Sequence, residues 1–372
     1  MSEPTARSLA VDLLRGMTLA LMIVVNMAID DERSYGQLLH SVWHGFTLTD
    51  AVFPAFLFAV GASLALSIER QRAAGEGAFT ARVLRRGALL FALGVLLTWI
   101  PFFRYDAITD ALVFVDLAHV RIFGVLQRIA LTYTLAALIA QRFGSRGAAV
   151  AMIGSLLIYA VILPMTGDLS LENNGPRALD LFLLGPAHLY KGEGIPFDPE
   201  GLYSTLPALA NVLGGYLAGR WLMNRGTNGA SLQRLATAGA VALAVALLWQ
   251  WQVPLNKKLW TSSYALLKLG IDTLALAALA YAADLRGWSM GRRFFEPLGG
   301  NTLAIYLLSE LGNLLVSRTY VGKTNTFEWL HATFYAPWAG AKFGSLLYCL
   351  SYLLLCWTAA HALARRQIRI RL

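Results

Sequence analysis

Ten runs of roughly 20 predominantly apolar residues recur along this chain, and they constrain its fold more than any other feature. Each run is about as long as a helix needs to cross a bilayer, and none alternates like a half-buried strand. With 57% hydrophobic and only 14% charged residues, the chain lacks the polar residues to cover a soluble core. The sequence therefore predicts an all-α, polytopic transmembrane helix bundle of about ten spans, and the segment 166–203 is long enough to add an eleventh. The predicted spans are roughly 8–30, 50–69, 83–101, 122–141, 147–165, 203–223, 233–251, 260–283, 300–317 and 342–364.

Basic residues in the connecting segments are divided unequally between the two sides of this predicted bundle. The set of segments that contains both termini holds eighteen Lys and Arg residues, whereas the opposite and longer set holds ten. Because cytoplasmic loops are enriched in Lys and Arg, we expect both termini to be cytoplasmic. The segment 166–202 is then an extracytoplasmic loop, either a wall of a substrate site or a plain surface loop. This topology accounts for the net charge of +9, so we expect a lipid bilayer and no nucleic acid as a partner.

The stretch 40–56, between the first two predicted helices, concentrates polar and aromatic residues suited to proton transfer. The imidazole of His40 can take up and return a proton near neutral pH. Asp50 can orient that ring, as carboxylates do in other catalytic sites. Asp50 and the threonine before it are also good helix N-cap residues, so a purely structural role is the alternative. Trp43 and His44 are neighbouring candidates for substrate contacts.

Charged and amide side chains inside the predicted helices are costly in a bilayer and usually face a cavity. Asp12 and Arg15 lie three residues apart on the first helix, where they either form an interfacial ion pair or hold a charged ligand. Gln127 and Arg128 lie in the fourth helix, and a buried arginine needs a carboxylate or an anionic ligand. Two later carboxylates are candidate partners for this arginine: Asp272 and Glu310.

Seven short motifs carry a resemblance that covers nearly the whole chain. They are DLLRG (12–16), MIVVN (22–26), HSVWHG with TLTDAVFPAFLFAVG (40–61), RIFGVLQRIA (121–130), DPEGLYSTLPA (198–208), NKKLWTSS (256–263) and GGN…SE (299–310). In this order they resemble the heparan-alpha-glucosaminide N-acetyltransferase family and its bacterial, NagX-like members, within the wider group of transmembrane acyltransferases.

The resemblance implies a single integral-membrane acyltransferase domain over residues 1–372, located in a bacterial inner membrane and assembled as a homodimer. Acetyl-CoA would enter from the cytosolic face, and the amine of a glucosamine-type sugar would be acetylated on the periplasmic side. His44 stands where the animal enzymes have asparagine, and Ser309 where they have histidine. These departures concern the acceptor more than the reaction. Because the layout of the chain is compact and bacterial-like, we expect an acceptor other than a lysosomal polysaccharide.

The resemblance also implies roles for individual residues. The pattern H-x-x-W-x-G makes His40 the catalytic histidine, with Asn26 and Asp50 as its catalytic partners. The residues expected to bind acetyl-CoA are Asp12, Arg15, Gln127, Arg128 and Asn301. Those expected to contact the acceptor are Trp43, His44, Trp260 and Glu310. No spacing typical of metal ligands occurs, so we expect acetyl-CoA as co-substrate and no metal.

Several alternatives remain open from the sequence alone. His40 acts either as the general base for direct transfer to the amine or as a nucleophile that forms an acetyl-histidine intermediate. An acyltransferase that modifies a hydroxyl group of a glycan or lipid would have the same broad architecture. A transporter without covalent chemistry is the alternative from a different class of protein.

Overall fold

Helices follow the apolar runs of the sequence, because a segment in lipid must satisfy its backbone hydrogen bonds internally. The computed structural model describes residues 8–73, 75–106 and 111–370, and each of the ten predicted spans contains helix. The helices are α1 (Leu9–Asn26), α2 (Val52–Arg72), α3 (Glu76–Trp99), α4 (Val125–Met165), α5 (Gly175–Leu184), α6 (Thr205–Arg225), α7 (Gly229–Trp249), α8 (Ser262–Leu279), α9 (Arg292–Gly300), α10 (Thr302–Arg318), α11 (Thr326–Leu330), α12 (Ala336–Ala339) and α13 (Ala341–Arg365).

Among the described residues, six helices are long and apolar enough to cross a membrane. These are Leu9–Asn26, Thr49–Glu69, Val125–Met165, Gly229–Trp249, Ser262–Leu285 and Ala341–Arg365. The third contains two of the predicted spans, since α4 runs for 41 residues and bends at Gly144, where φ is +62°. The described residues thus form a helical membrane protein, while the number of about ten spans stays a prediction.

Two short β-hairpins depart from the purely helical expectation. Strand β1 (Phe103–Asp106) pairs antiparallel with β2 (Ala111–Phe114), and β3 (Tyr320–Val321) pairs with β4 (Thr324–Asn325). Strands of four and two residues are too short for an alternation to be recognised in the sequence. Both hairpins lie in connections between helices, so they leave the bundle intact.

Helices α2 and α6 pack with their backbones in direct contact. A Cβ added at Gly61 would lie 1.8 Å from the carbonyl oxygen of Val212, and one added at Gly215 would lie 1.9 Å from that of Phe58. Small residues permit such close approach between helices in membranes. These two glycines therefore fix α2 firmly against α6.

A second glycine contact holds α1 against α9. A Cβ at Gly16 would lie 2.0 Å from the carbonyl oxygen of Phe295, and one at Gly299 would lie 2.2 Å from that of Asp12. Gly16 is the last residue of the DLLRG motif, so this packing explains why that motif ends in glycine. The contact brings the turn between α9 and α10 beside the first turns of α1.

Gly215→Ala is expected to lower the free energy of unfolding by roughly 1–3 kcal/mol, because the added methyl group forces α2 and α6 apart. Gly154→Ala is the matched control, since a Cβ there has no neighbour within 4 Å. The midpoint of thermal unfolding in detergent measures both variants. Equal midpoints for the two variants would show that the close contact between α2 and α6 contributes nothing.

Candidate active site

His40 and Asp50 form a hydrogen-bonded pair at the start of α2. Nδ1 of His40 donates to Oδ1 of Asp50 over 2.7 Å. The carboxylate is almost completely buried, with 1% of its side chain exposed, whereas 47% of the imidazole is exposed. The bond to Asp50 fixes the ring with its Nδ1–H as donor, which leaves Nε2 as the site that can accept a proton. The pair therefore has the geometry of an oriented general base.

The remaining hydrogen bonds of Asp50 point back to the loop that carries His40. Its Oδ2 accepts from the backbone N–H of Ser41 at 3.2 Å and from both the N–H and the hydroxyl of Thr47 at 3.0 Å. Its own carbonyl oxygen accepts from the hydroxyl of Tyr264 at 2.6 Å, which ties the pair to α8. Asp50 thus holds the His40 loop together, rather than making the helix-capping bond that the sequence also allowed.

Trp43 and His44 pack against two distant segments of the chain. The indole N–H of Trp43 donates to the carbonyl oxygen of Leu169 at 2.8 Å, and its ring meets Phe197 edge-on at 5.7 Å. Nδ1 of His44 accepts from the amide of Asn256 at 3.3 Å. Burial lowers the pKa of His44, so the neutral ring that accepts this bond is favoured. The segment 166–202 therefore forms a wall beside the His40 loop, and it contains one short α-helix, α5.

A buried cluster of four charges supports that wall, and sequence reasoning did not assign it. We call Arg121, Asp198, Glu200 and Lys257 the buried charge cluster. Arg121 binds Asp198 through Nε at 2.9 Å and Nη2 at 2.7 Å, and its Nη2 also reaches Glu200 at 2.7 Å. Lys257 lies 3.3 Å from the other oxygen of Glu200.

The charges in this cluster compensate one another. Burial alone would raise the pKa of Glu200, but the positive charges of Lys257, Arg121 and Arg128 hold that pKa well below its usual range. The acidic residues belong to the motif DPEG and the lysine to the motif NKK. Both motifs are visible in the sequence, but nothing in the sequence indicates that they pair.

Arg128 lies wholly inside the protein, behind this wall. Its Nη2 donates to the carbonyl oxygen of Gly201 at 3.1 Å and to the hydroxyl of Ser204, and its guanidinium lies 4.8 Å from the ring centre of Trp260. The two carboxylates that the sequence suggested as its partners pair with other residues. Asp272 binds Lys268 at 2.8 Å, and Glu310 binds Asn26 at 2.8 Å. Arg128 and Trp260 thus form a support behind the site.

Asp180 of α5 is a third carboxylate in this buried region. It is fully buried, and only its Oδ1 has a partner in the described residues, the N–H of Leu202 at 3.0 Å. Burial raises the pKa of Asp180 to about 7, with the charge of Asp198 adding to the rise; the Leu202 N–H and Arg128 oppose it. This carboxyl group therefore changes its charge near neutral pH.

Asp180→Asn is expected to flatten the pH dependence of stability. Between roughly pH 4 and pH 7 the folded protein holds a proton that the unfolded chain has released, so the free energy of unfolding falls as pH rises through this window. Asparagine cannot ionise, so the variant should match wild type in acid and be the more stable protein at mildly alkaline pH. Thermal unfolding across this range measures the effect, and parallel curves for the two proteins would contradict it.

A large cavity opens at the end of the bundle where α1 begins and α2 ends. It has a volume of about 610 Å³ and lies among α1, α2, α3, α4 and α10. Its charged and polar lining includes Asp12, Arg15, Gln71, Arg86, Tyr133 and Arg369. We call it the basic cavity.

The charges at the basic cavity are held by local contacts. Arg15 donates to the hydroxyl of Thr302 at 3.1 Å and lies 3.8 Å from Asp12. The guanidinium of Arg86 lies 4.8 Å from the ring centre of Tyr133. Phe56 also lines the cavity, six residues after Asp50, a rise of about 9 Å along a helix. One helix, α2, thus connects the His40–Asp50 pair with the cavity.

A second, smaller cavity of about 190 Å³ is lined by two further predicted residues. Gln127 and Glu310 line it together with Arg121, and Leu126 belongs to the walls of both cavities. Asn26 donates to the Glu310 carboxylate beside it, and the described hydrogen bonds do not join Asn26 to His40. The structure thus pairs Asn26 with Glu310.

The fold and these sites define a class of protein: a helical membrane protein with an oriented imidazole at one end of α2 and a basic cavity toward the other. Comparison with known sequences gives the family, because the model described as "Heparan-alpha-glucosaminide N-acetyltransferase, catalytic" matches residues 7–251. The chain belongs to this family. The matched residues include His40, Asp50 and most of the basic cavity wall.

Two full-length relatives agree with this assignment. The chain is 26% identical over 368 residues to the human heparan-alpha-glucosaminide N-acetyltransferase, covering 84% of this chain and 54% of that protein. It is 26% identical over 358 residues to the mouse protein, covering 81% of this chain and 53% of that protein. The chain therefore spans about half the length of these curated relatives.

Proposed function

We propose that this protein is a transmembrane N-acetyltransferase that moves an acetyl group from cytosolic acetyl-CoA to the amine of a glucosamine-type sugar on the periplasmic side. The observation that carries the proposal is the His40–Asp50 pair at the start of the helix that also lines the basic cavity. The names of the human and mouse relatives support this reaction and the amino-sugar class of acceptor.

The basic cavity has the properties that the donor requires. Its volume of about 610 Å³ falls within the usual range for ligand pockets, roughly 300–1,000 Å³. Guanidinium groups are the preferred protein partners of phosphate, because they donate two parallel hydrogen bonds. Arg15 and Arg86 would hold the phosphates of the donor, and Asp12 would keep Arg15 in place. The apolar wall toward Phe56 suits the uncharged arm of the donor.

When bound, acetyl-CoA supplies an acetyl group already activated as a thioester. His40 accepts a proton from the sugar ammonium at Nε2, so that the free amine can attack the acetyl carbon. The imidazolium releases this first proton to solvent, and Nε2 takes a second proton from the attacking nitrogen as the new C–N bond forms. As the C–S bond breaks, the imidazolium gives that proton to the departing sulfur, so the products are the amide, CoA and one proton in solution. Asp50 keeps Nδ1 protonated throughout and stabilises the positive ring.

The acceptor side is built from the wall beside the His40 loop and from the smaller cavity. Trp43 supplies an apolar face on which a sugar ring can pack, and His44 supplies a hydrogen-bonding edge. Glu310 supplies a carboxylate that attracts an ammonium group, and Asn26 orients that carboxylate through their 2.8 Å hydrogen bond. These groups select a cationic sugar over a neutral one.

Acetyl transfer by the purified protein tests this proposal. The protein in neutral detergent is mixed with acetyl-CoA and glucosamine, and the product is analysed by mass spectrometry and NMR. We expect free CoA and N-acetylglucosamine in equal amounts. An O-acetylated product would favour the acyltransferase that modifies hydroxyl groups, and no acetylated product from any amino sugar would contradict the proposed function.

Thiol labelling of intact cells tests the proposed orientation in the bacterial inner membrane. The native cysteines, Cys349 and Cys356, are buried, so single cysteines introduced at exposed positions report on their own surroundings. Val42 is 89% exposed beside His40, and Glu76 is exposed at the start of α3. Val42→Cys should react with an impermeant reagent from outside, and Glu76→Cys only after permeabilisation. The reverse pattern would place the termini outside.

A further inference from the structure

The C-terminal tail returns from α13 to the wall of the basic cavity. After α13 ends at Arg365, Gln367 adopts a positive φ of 55°, and the N–H of Ile368 donates to the carbonyl oxygen of Leu363 at 2.9 Å. The chain then continues to Arg369 and Ile370, which both line the cavity. We call the segment 367–370 the tail strap, and its last two residues form part of the cavity wall.

Asn301 holds the tail strap with both ends of its side-chain amide. Its Nδ2 donates to the carbonyl oxygen of Ile368 at 3.0 Å, and its Oδ1 accepts from the N–H of Ile370 at 2.9 Å. Asn301 itself is buried, with 3% of its surface exposed. Because both hydrogen-bonding functions of the amide are used on the strap, the sequence-based prediction that Asn301 binds the donor directly has a physical alternative: it positions the strap.

Arg369 lies between the two residues that Asn301 holds, so the backbone on both sides of it is fixed. Its side chain is exposed and belongs to the same cavity wall as those of Arg15 and Arg86. Gly300 and Thr302, on either side of Asn301, also line the cavity, and Thr302 binds Arg15. The turn between α9 and α10 therefore contacts two cations that line the same cavity. Thr302 binds the side chain of Arg15, and Asn301 holds the backbone on both sides of Arg369.

We propose that Arg369 is a phosphate-binding residue of the basic cavity and that Asn301 is its positioning residue. Three guanidinium groups around one cavity match a ligand with several phosphate groups better than they match a carboxylate. The inference rests on the proposed function for the identity of that ligand, CoA. An anionic lipid headgroup offers the same phosphate chemistry, and the experiment separates the two sources.

Binding of CoA alone tests the inference without any catalytic step. The purified full-length protein in neutral detergent is titrated with CoA and, separately, with pantetheine, which lacks phosphate. We expect Arg369→Ala to weaken CoA binding about tenfold, the effect of losing one charge-assisted hydrogen bond at an exposed site. Pantetheine binding should not change, and Arg369→Lys should restore part of the CoA affinity.

Matched variants identify the strap as the cause. Arg366→Ala removes a charge from the same tail at a position outside the cavity wall, and a chain ended after Ile370 keeps the strap, so both should bind CoA like wild type. A chain ended after Ile368 and the variant Asn301→Ala should both resemble Arg369→Ala. Because Asn301 acts through the strap, adding Asn301→Ala to Arg369→Ala should cause little further loss.

Each contrary result has a distinct meaning. Unchanged CoA affinity in Arg369→Ala, or an equal loss of pantetheine binding, overturns the role of Arg369 while leaving the proposed function intact. Failure of the wild-type protein to bind CoA overturns the donor assignment itself, and the role of Arg369 with it. If Arg369→Ala loses bound phosphatidylglycerol but keeps its CoA affinity, the cation serves a lipid site and the inference is wrong.

Discussion

Replacing His40 by alanine is expected to lower kcat for acetyl transfer by roughly 10²–10⁴-fold, the usual contribution of a positioned general base. The loss follows because the sugar ammonium then has no group beside it to take its proton. Binding of CoA should be unchanged, since His40 does not line the basic cavity. Steady-state kinetics and a CoA titration on the same preparation measure both quantities.

His44→Ala is the matched control for this change. His44 lies in the same loop, but its Nδ1 is occupied by Asn256, so we expect a change in the KM of the acceptor and a much smaller change in kcat. Wild-type kcat in His40→Ala would remove His40 from the mechanism. Mass spectrometry after incubation with acetyl-CoA alone distinguishes the two roles of His40: an acetylated His40 would favour the nucleophilic mechanism over direct transfer.

Arg121→Met is expected to lower the free energy of unfolding by roughly 3–5 kcal/mol, the typical result of removing one partner from buried ion pairs. The substitution leaves Asp198 without its bidentate partner. Glu200 keeps Lys257 as its ion-pair partner in the buried charge cluster. Only 24% of the Arg121 side chain and none of the Asp198 side chain are exposed, so water replaces the lost contacts only in part. Thermal unfolding and the yield of folded protein measure the loss.

Arg142→Met is the corresponding control, because Arg142 is exposed on α4 and a surface charge contributes little to stability. Adding Asp198→Asn to Arg121→Met should recover part of the stability, since it removes the unpaired charge. If Arg121→Met unfolds at the same temperature as wild type, the buried charge cluster is not what holds the wall beside His40.

Local sequence patterns predicted those features of the protein that depend on residues close together in the chain. Apolar runs predicted the helices, and the spacing of His40 and Asp50, ten residues apart, placed both on one connection, where the structure joins them over 2.7 Å. The resemblance to a known family was confirmed by the match over residues 7–251. Asp12 and Arg15 were correctly placed on one helix face, and the structure brings both to the basic cavity.

The features that the sequence did not reveal depend on residues far apart in the chain. Arg121 is separated from Glu200 by 79 residues, and Asn301 from Ile370 by 69. No periodicity encodes such pairs, because they arise only when whole helices pack. The predicted boundary between the spans 122–141 and 147–165 coincides with the break at Gly144. The short polar interruption predicted a connection between helices at this position, but it did not distinguish a sharp bend from a loop.

The glycine contact between α2 and α6 limits how the protein can admit a large ligand. With carbonyl oxygens already occupying the space beside Gly61 and Gly215, α2 has no room to shift toward α6. Any widening of the basic cavity must therefore come from the other walls, formed by α1, α3, α4, α10 and the tail. Under the proposed function, we expect α2 to stay fixed while the donor enters, and the other walls of the cavity to give way.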